Sequence, residues 1–358
     1  MTSMTTRKWP VAVLGATGAV GQTFVRLLEG HPWFELTEVA ASERSSGKTY
    51  REATRWLEGV MPERIAALDV LPCDPSAVHA PIIFSALDAA AATAIEPAFA
   101  RAGQLVFSNA KNFRMEPDVP LLVPEVNASH LDVLPAQRTR LGWSGCGAIV
   151  TNANCAATAA LLPLAALHEA FGVEQIMVMT MQAVSGAGYP GVPSLDILGN
   201  VIPYIGEEEE KIERELPKML GRSTGTVIEA ADIGVSAHAN RVPVEHGHTV
   251  CLTIKLGARA TVADAVSALD AWRGAPASHG LPSSPERPIV LAATESRPQP
   301  RRDVWAGRGM TTVVGRVRAD ALWDLRLVAL SHNTVRGAAG GSVLNAELLA
   351  ARGGLPPA

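Results

Sequence analysis

Apolar and polar positions follow two rhythms along this chain. Short apolar runs bounded by glycine or small polar residues recur at 11–14, 35–41, 80–86 and 104–109, and each reads as a buried strand. Between them the spacing turns helical, with Phe24, Val25, Leu27 and Leu28 on one face and an alanine-rich stretch at 88–102. Strands alternating with helices in this order predict a parallel sheet wound on both faces, an α/β architecture. The second half keeps strand-like runs at 148–150, 174–184, 250–256, 288–292, 311–317 and 325–330. One helix is expected to begin at Cys155, and a last one to run through Leu349.

Along 250–256 the even positions Val250, Leu252, Ile254 and Leu256 are apolar, and His248 is in phase with them. His248 therefore points inward, while Gly247 breaks the phase for His246. An inward histidine is commonly a hydrogen-bonded core residue; should it meet Cys155, it becomes an acid/base partner. Segment 206–220 is charged on most faces, and 207–210 reads as a solvated helix face. Pro217 is expected to interrupt that helix, leaving Glu215 and Lys218 on an irregular segment suited to line a site. Residues 274–303, rich in proline, serine and arginine, read as surface loop.

Composition narrows the class. A chain of 358 residues is long enough for two cores. Hydrophobic content of 47% with few aromatics suits an α/β enzyme. A formal net charge of −4 without a long basic run argues against a nucleic-acid partner. Cysteines 73, 146, 155 and 251 have neither metal-ligand spacing nor the look of a disulfide framework, so no metal and a reducing cytoplasm are expected. The polar start, 1–10, and the lack of an apolar run near ~18 residues predict no membrane partner.

Candidate chemistry gathers at three places. The GATGAVG run at 15–21 closes a strand and opens a helix, where backbone N–H groups approach a pyrophosphate. Its glycines stand as GxxGxxG rather than GxGxxG, and a plain tight turn is the simpler reading. After the second strand, Ser42, Arg44, Ser45 and Lys48 surround a lone Glu43, a set that favours the 2′-phosphate of NADP over the ribose hydroxyls of NAD. At 147–168 an apolar strand passes a polar elbow (Thr151, Asn152, Asn154) and enters a helix at Cys155. A helix N-terminus favours a thiolate, and its N–H groups with the Asn154 amide suit an oxyanion. The alternative is a small buried residue closing the turn. The glycine-rich loop at 185–191 would let backbone approach a flat ring, or merely turn the chain. Arg114, alone in its loop, reads as a surface charge.

Taken together these motifs resemble the aspartate-β-semialdehyde dehydrogenase family, in its archaeal and fungal branch. The likeness runs over nearly the whole chain: GATGAVG, SNAKNFRMEPDVPLLVPEVN at 108–127, NANC at 152–155 and MQAVSGAGYPGVPSLDI at 181–197. GEEEEKIERELPKML, NRVPVEHGHT at 240–249 and HNTVRGAAG at 332–340 extend it. The resemblance implies a Rossmann-type doubly wound domain, 1–153 with 336–358, and an α+β catalytic and dimerisation domain, 154–335. It implies Cys155 as nucleophile, His248 as general acid/base and Gln182 as orienting group. Arg241 would hold the substrate carboxylate and Glu215 its ammonium, with Asn154 beside them. Arg114 and Lys218 would bind the phosphoryl group or inorganic phosphate; Glu208 and Lys211 share the spacing of Glu215 and Lys218. NADP would sit on Gly15, Thr17, Gly18, Ala19, Val20, Gly21, Ser42, Arg44, Ser45, Ser85, Ala86, Ser185 and Gly186, with Asn333 at the nicotinamide.

The implied reaction is reductive dephosphorylation of aspartyl 4-phosphate to the semialdehyde through a Cys155 thioester, in aspartate-family amino-acid biosynthesis, by a homodimer or homotetramer. A malonyl-CoA reductase on the same scaffold, or a silent NADP-binding paralogue, is the alternative. The chain departs from the family pattern at Ala156, where serine or threonine is usual, at Val250, where glutamate is common, and in an insertion at 143–147.

Overall fold

The computed structural model describes residues 8–143 and 145–356; residues 1–7 and Ser144 of the insertion lie outside the described residues. Seven strands form a wholly parallel sheet: β1 (Trp9–Leu14), β2 (Phe34–Ala41), β3 (Val70–Pro72), β4 (Ile82–Ser85), β5 (Leu105–Ser108), β6 (Leu121–Leu122) and β7 (Ala148–Asn152). Their order is β3-β2-β1-β4-β5-β7-β6. The chain steps one way from β1 and then crosses to its other side at β4. A crevice therefore opens beyond the carboxyl ends of β1 and β4, the usual ligand position in such sheets.

Helices cover both faces because the strands are apolar on both. Phe24, Val25 and Leu28 of the Ala19–Leu28 helix share one core with Val343, Leu344 and Leu348 of the Gly340–Ala351 helix. Phe99 and Ala100 of the Ala89–Arg101 helix pack on the other face. The chain's last helix thus returns to the first sheet.

After a two-stranded ribbon, β9 (Arg222–Ser223) and β10 (Ile228–Glu229), which follows β8 (Val173–Gln182), the second sheet is completed by β11 (Gly234–Arg241), β12 (His248–Leu256), β13 (Ile289–Leu291), β14 (Thr312–Ala319) and β15 (Leu325–Ser331). Its order is β11-β8-β12-β15-β14-β13, with mixed pairing. One face packs on the Cys155–Phe171 helix, which is buried along almost its whole length and apolar all round as a core helix must be. The other face leaves Met177 and Met179 about two-fifths exposed, at 42% and 41%.

Two expectations need correction. The charged helix runs unbroken from Glu208 to Met219 and carries Pro217 in its last turn, so Glu215 and Lys218 are helical. Its 207–210 stretch is only half solvated: Glu207 and Glu210 are exposed, but Glu208 is buried, and Glu209 and Glu213 accept the N–H groups of Ala239 and Ala237 on the edge strand β11. Those carboxylates satisfy backbone donors that an edge strand would otherwise leave open.

Candidate active site

The site is built where β7 hands over to the Cys155–Phe171 helix. Asn154 is the N-cap, its Oδ1 accepting the N–H groups of Ala156 and Ala157 at 2.9 and 3.0 Å. Capping this way sets Cys155 as the first helical residue. Its thiol meets His248: Nε2 lies 3.1 Å from Sγ. The other ring nitrogen, Nδ1, accepts the N–H of Ala183 at 3.1 Å, so in the neutral ring the proton sits on Nε2 and faces the sulfur.

Burial governs the titration of this pair. It pushes the Cys155 thiol up to about 12, with Glu208 adding to the rise and Arg114 and Arg241 opposing it. The expected lowering at a helix N-terminus is therefore outweighed in the unliganded site. Burial, helped by Arg241, draws His248 down to about 3, so the ring is neutral at physiological pH. Arg241 ends β11 and donates through Nη1 to the Ala183 carbonyl at 2.8 Å. The backbone of Gly186 lies directly over His248 and Arg241, with room for no larger residue than glycine without a shift.

The two Glu-x-x-Lys pairs of the Glu208–Met219 helix lie differently. Glu208 accepts from Asn154 Nδ2 at 2.9 Å, Gln182 Nε2 at 3.2 Å and Lys211 Nζ at 3.0 Å. Burial raises its carboxyl, but Lys211 and these hydrogen bonds more than offset that and hold it below the ordinary range. Glu215 instead accepts from Arg114 Nη1 at 2.8 Å and from the Asn154 N–H at 2.6 Å. Lys218, expected at the phosphate, is engaged with backbone carbonyls instead. Its ammonium donates to the carbonyls of Arg114, Glu116 and Val119, which uses all three N–H bonds. A cavity of about 300 Å³ brings together Asn154, Cys155, Glu208, Lys211, Lys111, Arg114 and Asn333. Lys218 does not line it.

Val20, Leu87 and Gly188 line both this cavity and a larger one of about 980 Å³ in the crevice beyond β1 and β4. Gly15, Thr17, Gly18, Ala19, Ser42, Glu43, Arg44 and Ala86 line it, as do Cys73, Asp74 and Tyr189, which the sequence did not single out. The donor set fits a dinucleotide. Gly15 has φ +68°, and a Cβ there would meet the Ala86 carbonyl at 2.6 Å, so the turn stays open to an incoming pyrophosphate. Gly21, Ser45 and Ser85 do not line the cavity. Gly21 packs against Gly15, where a Cβ would come within 2.2 Å of its carbonyl, and Ser85 is fully buried beside the Glu96 carboxyl. Ser185 and Asn333 line the smaller cavity and bond each other at 2.8 Å, while Asn333 also accepts the Gly247 N–H at 2.9 Å.

Comparison with known proteins gives this arrangement its relatives. Residues 10–134 match the semialdehyde dehydrogenase NAD-binding domain, and 164–336 match the semialdehyde dehydrogenase dimerisation domain. Aspartate-semialdehyde dehydrogenase of Methanothermobacter thermautotrophicus is 50% identical over 343 residues, covering 95% of this chain and 98% of that protein. The Schizosaccharomyces pombe enzyme is 46% identical over 351 residues, covering 96% and 98%. The crystal structure of the Candida albicans enzyme with NADP superposes with a TM-score of 0.90 at 40% identity, over 98% of this chain and all (100%) of that one. This chain belongs to the aspartate-semialdehyde dehydrogenase family.

Two features of this family member were invisible in the sequence. Gly337, in the Val335–Ala339 π-helical turn, lies so close to the helix start that a Cβ would sit 2.7 Å from Cys155 Cβ. The turn is tied down by Arg336, whose fully buried guanidinium grips Glu125 with two bonds of 2.6 and 2.8 Å. The family departures are placed too. Ala156 and Val250 are both fully buried in the core around the Cys155–Phe171 helix, where a hydroxyl or carboxylate would need a partner. The described residues of the insertion, 143 and 145–147, lead into the N-terminal end of β7, whereas Cys155 follows its C-terminal end.

Proposed function

We propose that this enzyme reduces L-aspartyl 4-phosphate to L-aspartate 4-semialdehyde, reversibly and with NADPH, in aspartate-family amino-acid biosynthesis. The observation that carries this reading is the Cys155–His248 contact, with Cys155 lining a cavity that shares Val20, Leu87 and Gly188 with the glycine-walled crevice. Cys155 attacks the acyl carbon, the N–H groups of the helix start hold the oxyanion, and phosphate leaves with the thiol proton as a thioester forms. NADPH, held by Gly15, Thr17, Gly18 and Ala19 with Ser42 and Arg44 near its 2′-phosphate, supplies the hydride. As the resulting hemithioacetal oxyanion collapses, the C–S bond breaks, Nε2–H of His248 hydrogen-bonds the departing sulfur, and a proton from solvent, passed through that ring, restores the thiol.

Arg241 takes the substrate carboxylate, and Glu208 rather than Glu215 takes the ammonium, since Glu208 lines the cavity and Glu215 is committed to Arg114. An arriving ammonium also weakens the Glu208 field that raises the Cys155 thiol, so substrate binding itself favours the nucleophile. Arg114 and Lys211, with Lys111 at the rim, meet the phosphoryl group. Gln182 steadies Glu208. Residues 1–153 with 336–358 serve the cofactor and 154–335 the chemistry. The half-exposed methionine face of the second sheet, within the part matching the dimerisation domain, suits a homodimer or a pair of dimers. Four unpaired cysteines suit a reducing cytoplasm, and among the described residues no helix is long and apolar enough to cross a membrane.

The test follows NADPH absorbance with aspartate semialdehyde, NADP and phosphate. Phosphate-dependent NADPH formation is the expected result. No turnover with these three, but turnover of malonyl-CoA with NADPH, would move the reading to the acyl-CoA reductase.

A further inference from the structure

The last turn of the Glu208–Met219 helix holds a lysine that the cavity does not use. Lys218 is only 3% exposed, and its Nζ donates to the Arg114 and Glu116 carbonyls at 2.6 Å each and to the Val119 carbonyl at 2.9 Å. One ammonium thus gathers three acceptors from a six-residue loop. Two of the carbonyls between them are held from other elements: Ile228 N–H donates to Pro117, and Gln137 Nε2 donates to Asp118. This loop carries Arg114, whose Nη1 and Nη2 are bonded to Glu215 and to the Asn109 carbonyl. Its buried Nε has no protein partner among the described residues, so that N–H and a second N–H on each Nη remain for a ligand in the cavity that Arg114 lines.

A buried ammonium persists only where hydrogen bonds and charge compensate the loss of water. Here the carboxylates of Glu116, Asp118 and Glu215 favour the charge, while burial is the largest influence and draws Lys218 down to about 8. An uncharged side chain of the same length would fill the space but release the loop. We propose that Lys218 is a positioning residue: it clasps the 114–119 loop so that Arg114 presents its guanidinium to the phosphoryl group, and it never touches that group itself. The proposal rests on the phosphate-linked reaction above.

Two experiments test it together. With wild-type enzyme, an amine-acylating reagent read by mass spectrometry, with and without inorganic phosphate, should label Lys211 and show phosphate protecting it, while Lys218 stays unlabelled in both. In turnover, Lys218→Met should raise the phosphate KM about tenfold or more and leave the NADP KM within about twofold, because a small displacement of a binding group is costly. In an Arg114→Ala background the same substitution should add nothing, since the lysine acts through the arginine. A lysine that only stabilised the fold would lower active enzyme and kcat without a selective change in phosphate KM, which would overturn the proposal. So would Lys218 labelling that phosphate blocks, or an undiminished Lys218→Met effect without Arg114. If wild type shows no phosphate-dependent turnover, the reaction reading fails; the labelling needs no turnover and still overturns the clasp if Lys218 is modified.

Discussion

At the first turn of the Glu208–Met219 helix, Glu208 and Lys211 bond each other and face the cavity with Cys155. At its last turns Glu215 and Lys218, with the same spacing, do not bond each other; Glu215 holds Arg114 and the Asn154 N–H, and Lys218 the carbonyls of the 114–119 loop. Seven residues separate the pairs, two turns, so both lie on one helix face and differ by about 10 Å along the axis. That translation decides function. The outer pair lines the cavity that holds Cys155, and the inner pair lies beside the 114–119 loop with its hydrogen bonds made to protein. The comparison teaches that a motif repeated along a helix is assigned by what lies opposite each turn, since residue type and face are the same.

The comparison can be broken in order of effect. Glu215→Ala strands the buried Arg114 charge and the Asn154 N–H, and should cost about 3–5 kcal/mol of stability, read as a fall in Tm with NADP bound or absent. Glu208→Gln should leave stability nearly intact but lower kcat/KM for the semialdehyde about 100-fold. It should also speed alkylation of Cys155, since it removes the second contribution to the raised thiol. The sign is clear: a thiol held at about 12 is protonated at neutral pH, so wild-type alkylation should climb about tenfold per pH unit from about pH 7 to about 10 without a plateau. A plateau near pH 9 would mean an ordinary thiol. Lys211→Met should raise the phosphate KM about tenfold with the NADP KM unchanged. Glu209→Gln, which touches only an N–H of the edge strand, should shift stability by about 1 kcal/mol or less.

Much of this was legible in advance, for physical reasons. A parallel sheet buried on both faces writes itself as apolar runs, and β1, β2, β4, β5 and the glycine turn were readable from them. Period two placed His248 inward, and the structure seats it fully buried against Cys155. The edge strand β11 escaped because Ser236, His238 and Asn240 break its apolar pattern. Pro217 misled because proline in a last turn costs only one hydrogen bond and the helix need not stop. Nothing local marks Gly337 or the Arg336–Glu125 pair, whose partners are far away in sequence. The thiol's upward shift likewise depends on burial, which no motif records.

The most direct test of the account is rapid mixing of enzyme and NADP with aspartate semialdehyde in the absence of phosphate. A Cys155 thioester that awaits phosphate predicts a burst of about one NADPH per chain, then a near halt, released when phosphate is added. Cys155→Ala should show no burst. Steady NADPH formation without a burst, retained in Cys155→Ala, would contradict the covalent chemistry on which the account is built.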